Sequence, residues 1–129
     1  MADNFFGKYR GEVVNVNDPE HSGRIKVTCP KVLGEQISNW ALPNLPPYYS
    51  CVPKVGTMVW VEFEEGRKDA PIWTGCFYTA GQWSEASGGG DSKSMCFNVP
   101  GGIKFSCSEI TSNQKFPESK HADIAGALG

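Results

Sequence analysis

The sequence predicts an all-β protein: a small barrel of about five short strands, followed by a short C-terminal β or irregular extension. Three observations carry this expectation. Residues 57–63 alternate, with Thr57, Val59, Val61 and Phe63 on one parity and Met58, Trp60 and Glu62 on the other, which is the period of a strand. Residues 24–29 repeat the pattern, with Ile25, Val27 and Cys29 facing one way and Arg24, Lys26 and Thr28 the other. Fifteen glycines, nine prolines and fifteen aromatic residues (seven Phe, four Trp, four Tyr) favour short strands joined by many turns.

In chain order, 1–8 form a short lead whose Phe5-Phe6 pair is expected to tuck under a barrel end or dock on a neighbouring subunit. The first strand covers 9–16. Its alternation slips between Val13 and Val14, which predicts a bulge, and Gly11 predicts a bend where the sheet curls. Residues 17–23 (N-D-P-E-H-S-G) compose a turn that leads into the second strand, 24–29, and Pro30 ends that ladder because it has no N–H to donate. Between 32 and 47 only Trp40-Ala41-Leu42 is strand-like, and Pro46-Pro47 bars a helix. The fourth and fifth strands form the central hairpin, 53–78, with its turn over 66–71 and its second strand over 72–78. Five short strands with a curled first hairpin fit a small Greek-key barrel of the oligonucleotide/oligosaccharide-binding (OB) type.

Composition changes after Tyr78. The expected organisation is a barrel over 1–80, a Gly/Ser-rich linker over 81–94 centred on Gly88-Gly89-Gly90, and an extension over 95–129. The extension holds a candidate strand pair, 95–99 and 103–107, around a Pro-Gly turn. Its apolar residues cannot enter a barrel that is already complete, so they pack on its outside or on another chain.

A net charge of −2 gives no electrostatic reason to expect nucleic acid or an acidic membrane as partner. Five cysteines, an odd number without paired spacing or a secretory leader, predict free thiols in a reducing compartment. No apolar run approaches the roughly 20 residues that span a bilayer. Catalytic constellations are likewise unpromising. Ser22 adjoins His21 on a turn, where neighbours point apart and no carboxylate is placed to orient the imidazole. Glu62, Glu64 and Glu65 read as an exposed acidic edge rather than a glycosidase pair. His21 and His121 lie a hundred residues apart, and the cysteines are scattered, so neither metal nor cofactor is expected. The barrel type itself leaves open a single-stranded nucleic-acid or oligosaccharide binding module, with Trp60, Trp73, Phe77 and Tyr78 as stacking candidates beside Arg24, Lys26 and Lys31.

Two stretches then carry a resemblance. D-P-E-H-S-G-R-I-K-V (18–27) and P-K-V-G-T-M-V-W-V-E-F-E-E-G-R-K-D-A-P-I-W-T-G-C-F-Y (53–78) resemble the N-terminal OB domain of contractile-tail baseplate hub and spike proteins. That family includes phage tail spike bases and the Val-Gly-repeat spike of type-six secretion. The matching positions are Asp18, Pro19, Gly23, Arg24, Val27, Trp40, Gly56, Val59, Val61, Phe63, Gly66, Pro71, Gly75 and Tyr78, all as structural motif residues.

The resemblance implies a structural protein rather than an enzyme: the base of a central membrane-puncturing spike at the hub. It implies a homotrimer that contacts a hub ring protein and a spike-tip protein, with neither nucleic acid nor, in the resting assembly, membrane as partner. The implied location is a virion baseplate or injection-machine tail, assembled in the bacterial cytoplasm. The long β-helical needle of secretion spikes is missing from the sequence, so a separate protein is expected to supply it, or the chain is a minimal spike base.

Overall fold

Alternation in the sequence becomes burial in the structure. Ile25, Val27, Cys29, Val59 and Val61 are fully buried and Phe63 nearly so, as their parity requires. The computed structural model describes residues 4–83, 93 and 95–111. Five strands form one sheet: β1 (Tyr9–Asn15), β2 (Lys26–Thr28), β3 (Leu42–Pro43), β4 (Met58–Phe63) and β5 (Pro71–Cys76). Their order is β2-β1-β4-β5-β3. All pairings are antiparallel except β3 with β5, which is parallel.

The two ends of this sheet meet. Ile25 and Ala41 exchange backbone hydrogen bonds, Ala41 donating at 2.7 Å and Ile25 at 3.2 Å. Thr28 bridges Ile37. Between these bridges the Val27 carbonyl accepts from the Ser38 N–H at 2.9 Å, and the Val27 N–H donates to the Ser38 hydroxyl at 2.9 Å. Residues 37–43 thus bond to β2 on one side and β5 on the other, closing a five-stranded Greek-key barrel with the OB connectivity. Inside it Val13, Ile25, Val27, Cys29, Ala41, Val59, Val61, Phe63 and Trp73 make the core.

Closure requires curling, and the sequence supplies it at three places. Val14 is the extra residue where β1 passes β2, since Val13 pairs with Val27 and Asn15 with Lys26. Gly11 sits where the sheet folds onto itself: a Cβ there would lie 2.8 Å from both the Thr28 carbonyl and a Val61 methyl. In β5 an extra residue separates Trp73 from Cys76, opposite Val61 and Val59, and Gly75 in that bulge takes φ +111°.

Several boundaries differ from the sequence expectation. The hairpin turn is longer than expected: β4 ends at Phe63, a 3-10 turn covers Glu64–Gly66, and Pro71 already pairs with Phe63. Pro71 is tolerated in the ladder because it opens the strand. β5 ends at Cys76, so Tyr78 lies outside the sheet, edge-on to Trp83 with ring centroids 5.3 Å apart. Trp40 flanks the third strand rather than lying in it. One helical turn, α1 (Pro30–Leu33), follows β2; Pro30 opens it at a position whose N–H has no intrahelical partner. Of the N-terminal pair, Phe5 packs on Tyr9 and Phe63, with ring centroids 6.3 Å from each, while Phe6 is exposed.

The chain divides into two units, Met1–Trp83 and Ser84–Gly129. In the second, the described residues 95–111 contain no strand, so the expected pair 95–99 and 103–107 is not formed within this chain. A turn in which the Gly102 N–H bonds to the Val99 carbonyl is present. Met95, Phe97, Val99, Ile103, Phe105 and Ile110 are all exposed. The Gly88–Gly90 linker and the segment 112–129 lie outside the described residues.

Candidate functional site

The first loop, between β1 and β2, is built around one carboxylate. Asp18 is buried although it lies on a turn. Its two oxygens accept the backbone N–H groups of Glu20 (3.0 Å), Ser22 (2.8 Å) and Arg24 (3.2 Å). They also accept from the Arg24 guanidinium, at 2.8 Å from Nη2 and 3.2 Å from Nε. The guanidinium beside Asp18 is the main reason its carboxyl is held well below the usual carboxylate range; the three backbone donors add to this, and burial opposes it. Asp18 in return raises the pKa of Arg24. Glu20 pairs with the same Arg24 Nη2 at 3.2 Å.

Two further contacts fix this loop to the barrel. The Trp73 indole N–H donates to the Gly23 carbonyl at 3.2 Å. Gly23 takes φ +73°, a conformation suited to glycine. On the barrel's outer surface Arg24 and Lys26 lie over the Trp40 ring, 5.7 and 5.1 Å from its centroid. A second outer cluster joins β1, β4 and the residue after β5: Trp60 and Phe77 stack at 4.7 Å, and Arg10 lies over both.

The motif positions thus separate by physical task. Asp18, Gly23 and Arg24 shape the first loop; Val27, Val59, Val61 and Phe63 fill the core. Gly66 is buried with φ +75°, its carbonyl accepting the Phe5 N–H at 2.8 Å, and a Cβ there would meet the Phe6 ring at 2.8 Å. Gly56, at φ +94°, turns the chain into β4. Pro19 and Tyr78 are exposed.

The residues weighed for chemistry do not converge. The Ser22 hydroxyl donates to the Glu20 carbonyl at 3.3 Å rather than to His21. Glu64 and Glu65 are exposed on the 3-10 turn. No group of three potential metal ligands occurs among the described residues. What the arrangement does is mechanical: charge-assisted hydrogen bonds, an indole clamp and cation–aromatic stacks make a stiff loop and two ordered outer patches.

Sequence reasoning missed Ser38 and Trp73 as positioning residues. A lone serine between turn residues carries no periodic signal, and Trp73 reads from the sequence as a stacking candidate, whereas the structure buries it in the barrel core.

The order of these pieces along the chain matches the model of the type VI secretion system/phage-baseplate injector OB domain over residues 9–78. That is more than half of the chain, from the first residue of β1 to just past β5. The chain belongs to this family. No curated protein matches the sequence significantly. As an injector OB domain it is a structural element of a phage baseplate or secretion injector, associated with other baseplate proteins and located in a tail or injection machine. The turn that precedes G-R-I-K-V in this injector OB domain has a physical reason: its aspartate supplies the acceptors that three loop amides and the arginine require.

Proposed function

We propose that the chain is the barrel base of the central membrane-puncturing spike at the baseplate hub, and that it works without catalysis. The observation that carries this reading is the family match across the whole barrel. A rigid closed barrel is suited to transmit axial force, and its loops are suited to hold neighbours. The proposed assembly is a homotrimer that contacts a hub ring protein on one side and a spike-tip protein on the other. It would be located at a virion baseplate or injection-machine tail and assembled in the bacterial cytoplasm.

The described part of the second unit supports the oligomeric reading. Six large apolar side chains stand exposed over 95–110, with no strand partner among the described residues. Such side chains favour burial against another chain. Pairing of 95–99 and 103–107 with the same segments of two further copies would bury them.

The cationic residues bear on the nucleic-acid alternative. Arg24 is already bonded to Asp18 and Glu20 and lies on Trp40, so the basic and aromatic groups of that face are engaged with one another.

Light scattering on the full chain tests the assembly. The native protein is expected to be a trimer, and Phe97→Asp with Phe105→Asp is expected to be a monomer with an unchanged barrel melt. A native monomer at micromolar concentration would count against the trimer, and tight, salt-sensitive oligonucleotide binding would favour the alternative.

A further inference from the structure

The outward parity at the centre of the sheet places charge around an aromatic middle. On β1, Arg10 and Glu12 are exposed and alternate with the buried Gly11 and Val13. On β4, Met58, Trp60 and Glu62 take the same outer parity and are half-buried. Strand pairing sets Arg10 beside Trp60 and Glu12 beside Met58. Just past β5 the Phe77 N–H donates to the Met58 carbonyl at 3.1 Å, and the Phe77 ring meets that of Trp60. Arg10 lies over both rings, 5.7 and 5.1 Å from their centroids.

The two outer cation–aromatic patches differ in one respect. Arg24, over Trp40, is neutralised by Asp18 and Glu20. Arg10 has neither an ion pair nor a hydrogen bond from its guanidinium among the described residues. Glu12 and Glu62 share its face but lie beyond ion-pair distance. The rings therefore order a cation whose N–H donors are left for another molecule.

We propose that this face docks a peptide segment of another baseplate protein, through a carboxylate on the segment that pairs with Arg10. Charge complementarity specifies the rest of the segment. Glu12 stands two residues from Arg10 on β1, and Glu62 two residues from Trp60 on β4, so cations fit at the segment's flanks and the acid at its middle. Apolar side chains between them cover Trp60, Phe77 and Met58. A guanidinium takes a carboxylate through two parallel N–H bonds. One already stacked on rings has less freedom to lose on binding, and Trp and Arg are the residues that most often dominate interfaces. The inference deepens the spike-base reading and rests on it for a protein neighbour at the barrel wall.

A strand of nucleic acid fits this face less well. Trp60 and Phe77 contact each other at 4.7 Å and Arg10 covers both, so the rings are engaged before a base arrives. A phosphate chain passing Arg10 would also run past Glu12 and Glu62, whereas such binders line their groove with several cations.

The test titrates the nitrogen-15-labelled full chain with the capped peptide Lys-Leu-Glu-Leu-Lys and follows the Arg10 Nε–H and Trp60 indole signals by NMR. The expected result is a saturable shift of both signals at millimolar peptide. Arg10→Gln should weaken binding about five-fold, the loss of one exposed charge pair, with an unchanged barrel melt. A peptide with Gln in place of its central Glu should bind the native chain equally weakly, and Arg10→Gln should weaken that peptide no further. Arg10→Glu should reverse the preference, towards a peptide with Lys at its centre. The proposal is overturned if neither signal shifts saturably, if Arg10→Gln binds as the native chain does, or if the Glu and Gln peptides bind alike. Tighter binding of oligothymidylate at the same two signals would overturn it in favour of nucleic acid. The trimer test reads Phe97 and Phe105 and this one reads Arg10, so either proposal can fail without the other.

Discussion

The carboxylate of Asp18 accepts both the backbone N–H and the guanidinium of Arg24, six residues further along the chain. One side chain thereby sets where the first loop ends and holds the cation that stands two residues ahead of β2. Removing it leaves three backbone amides and a guanidinium without their acceptor, and a part-buried donor without an acceptor is costly.

This arrangement predicts a pH dependence. The folded-state pKa of Asp18 lies below its ordinary value of 3.8. The ionised carboxylate therefore adds stability that is fully present above that value and is lost as pH falls towards the folded pKa. Thermal melts of the native protein should decline more steeply below the ordinary value than those of Asp18→Asn, which should already melt lower at neutral pH. Parallel curves for the two proteins would show that Asp18 contributes no such term.

The core residues carry a second prediction. Val61 and Ile25 are fully buried, so Val61→Ala should cost on the order of 1–3 kcal/mol and Ile25→Ala about 2–5 kcal/mol in denaturant unfolding. Unchanged midpoints for both variants would mean that these faces are not the interior.

Gly11 and Gly56 should respond to alanine for different reasons. At Gly11 the new Cβ would press on the Thr28 carbonyl and Val61, an overpacking cost of about 1–3 kcal/mol. At Gly56 the Cβ would enter open space, and only the φ of +94° opposes it, at about 1 kcal/mol. Combining Gly11→Ala with Val61→Ala should recover part of the first loss and none of the second. Equal losses that ignore the smaller Val61 side chain would refute the steric account.

Two hydroxyls make a contrasting pair. Ser38 supplies the acceptor for the Val27 N–H at the barrel seam, so Ser38→Ala should cost about 1–3 kcal/mol and speed hydrogen exchange at the Val27 amide. The buried Thr74 hydroxyl has no partner, and Thr74→Val should be neutral or stabilising by up to about 1 kcal/mol. A loss at Thr74 as large as that at Ser38 would contradict this assignment.

The parts of this fold that were legible are those with a period. Ile25, Val27 and Cys29, and Val59, Val61 and Phe63, declare their faces because a strand alternates. The adjacent valines at 13 and 14 break that period, and the break is the bulge. What stayed hidden is chemistry that acts across the chain. The Ser38 hydroxyl takes the place of a backbone acceptor, and the Trp73 indole reaches a carbonyl fifty residues away. α1 is a single turn, too short for a helical period to register. Of the site, the motif order was legible, whereas the number of donors gathered on Asp18 depends on how the loop folds back.

The strand order also fixes how the barrel resists being pulled. β1 and β5 flank β4 and run antiparallel to it, so they point in the same direction. The chain enters β1 from the side where β4 ends, at Tyr9 beside Val61, and quits β5 at Cys76, on the side where β4 begins. Tension drawn between those two points runs along the ladders instead of across them. The hydrogen bonds on both sides of β4 then share the strain together, in shear, and none can be peeled open singly from an end.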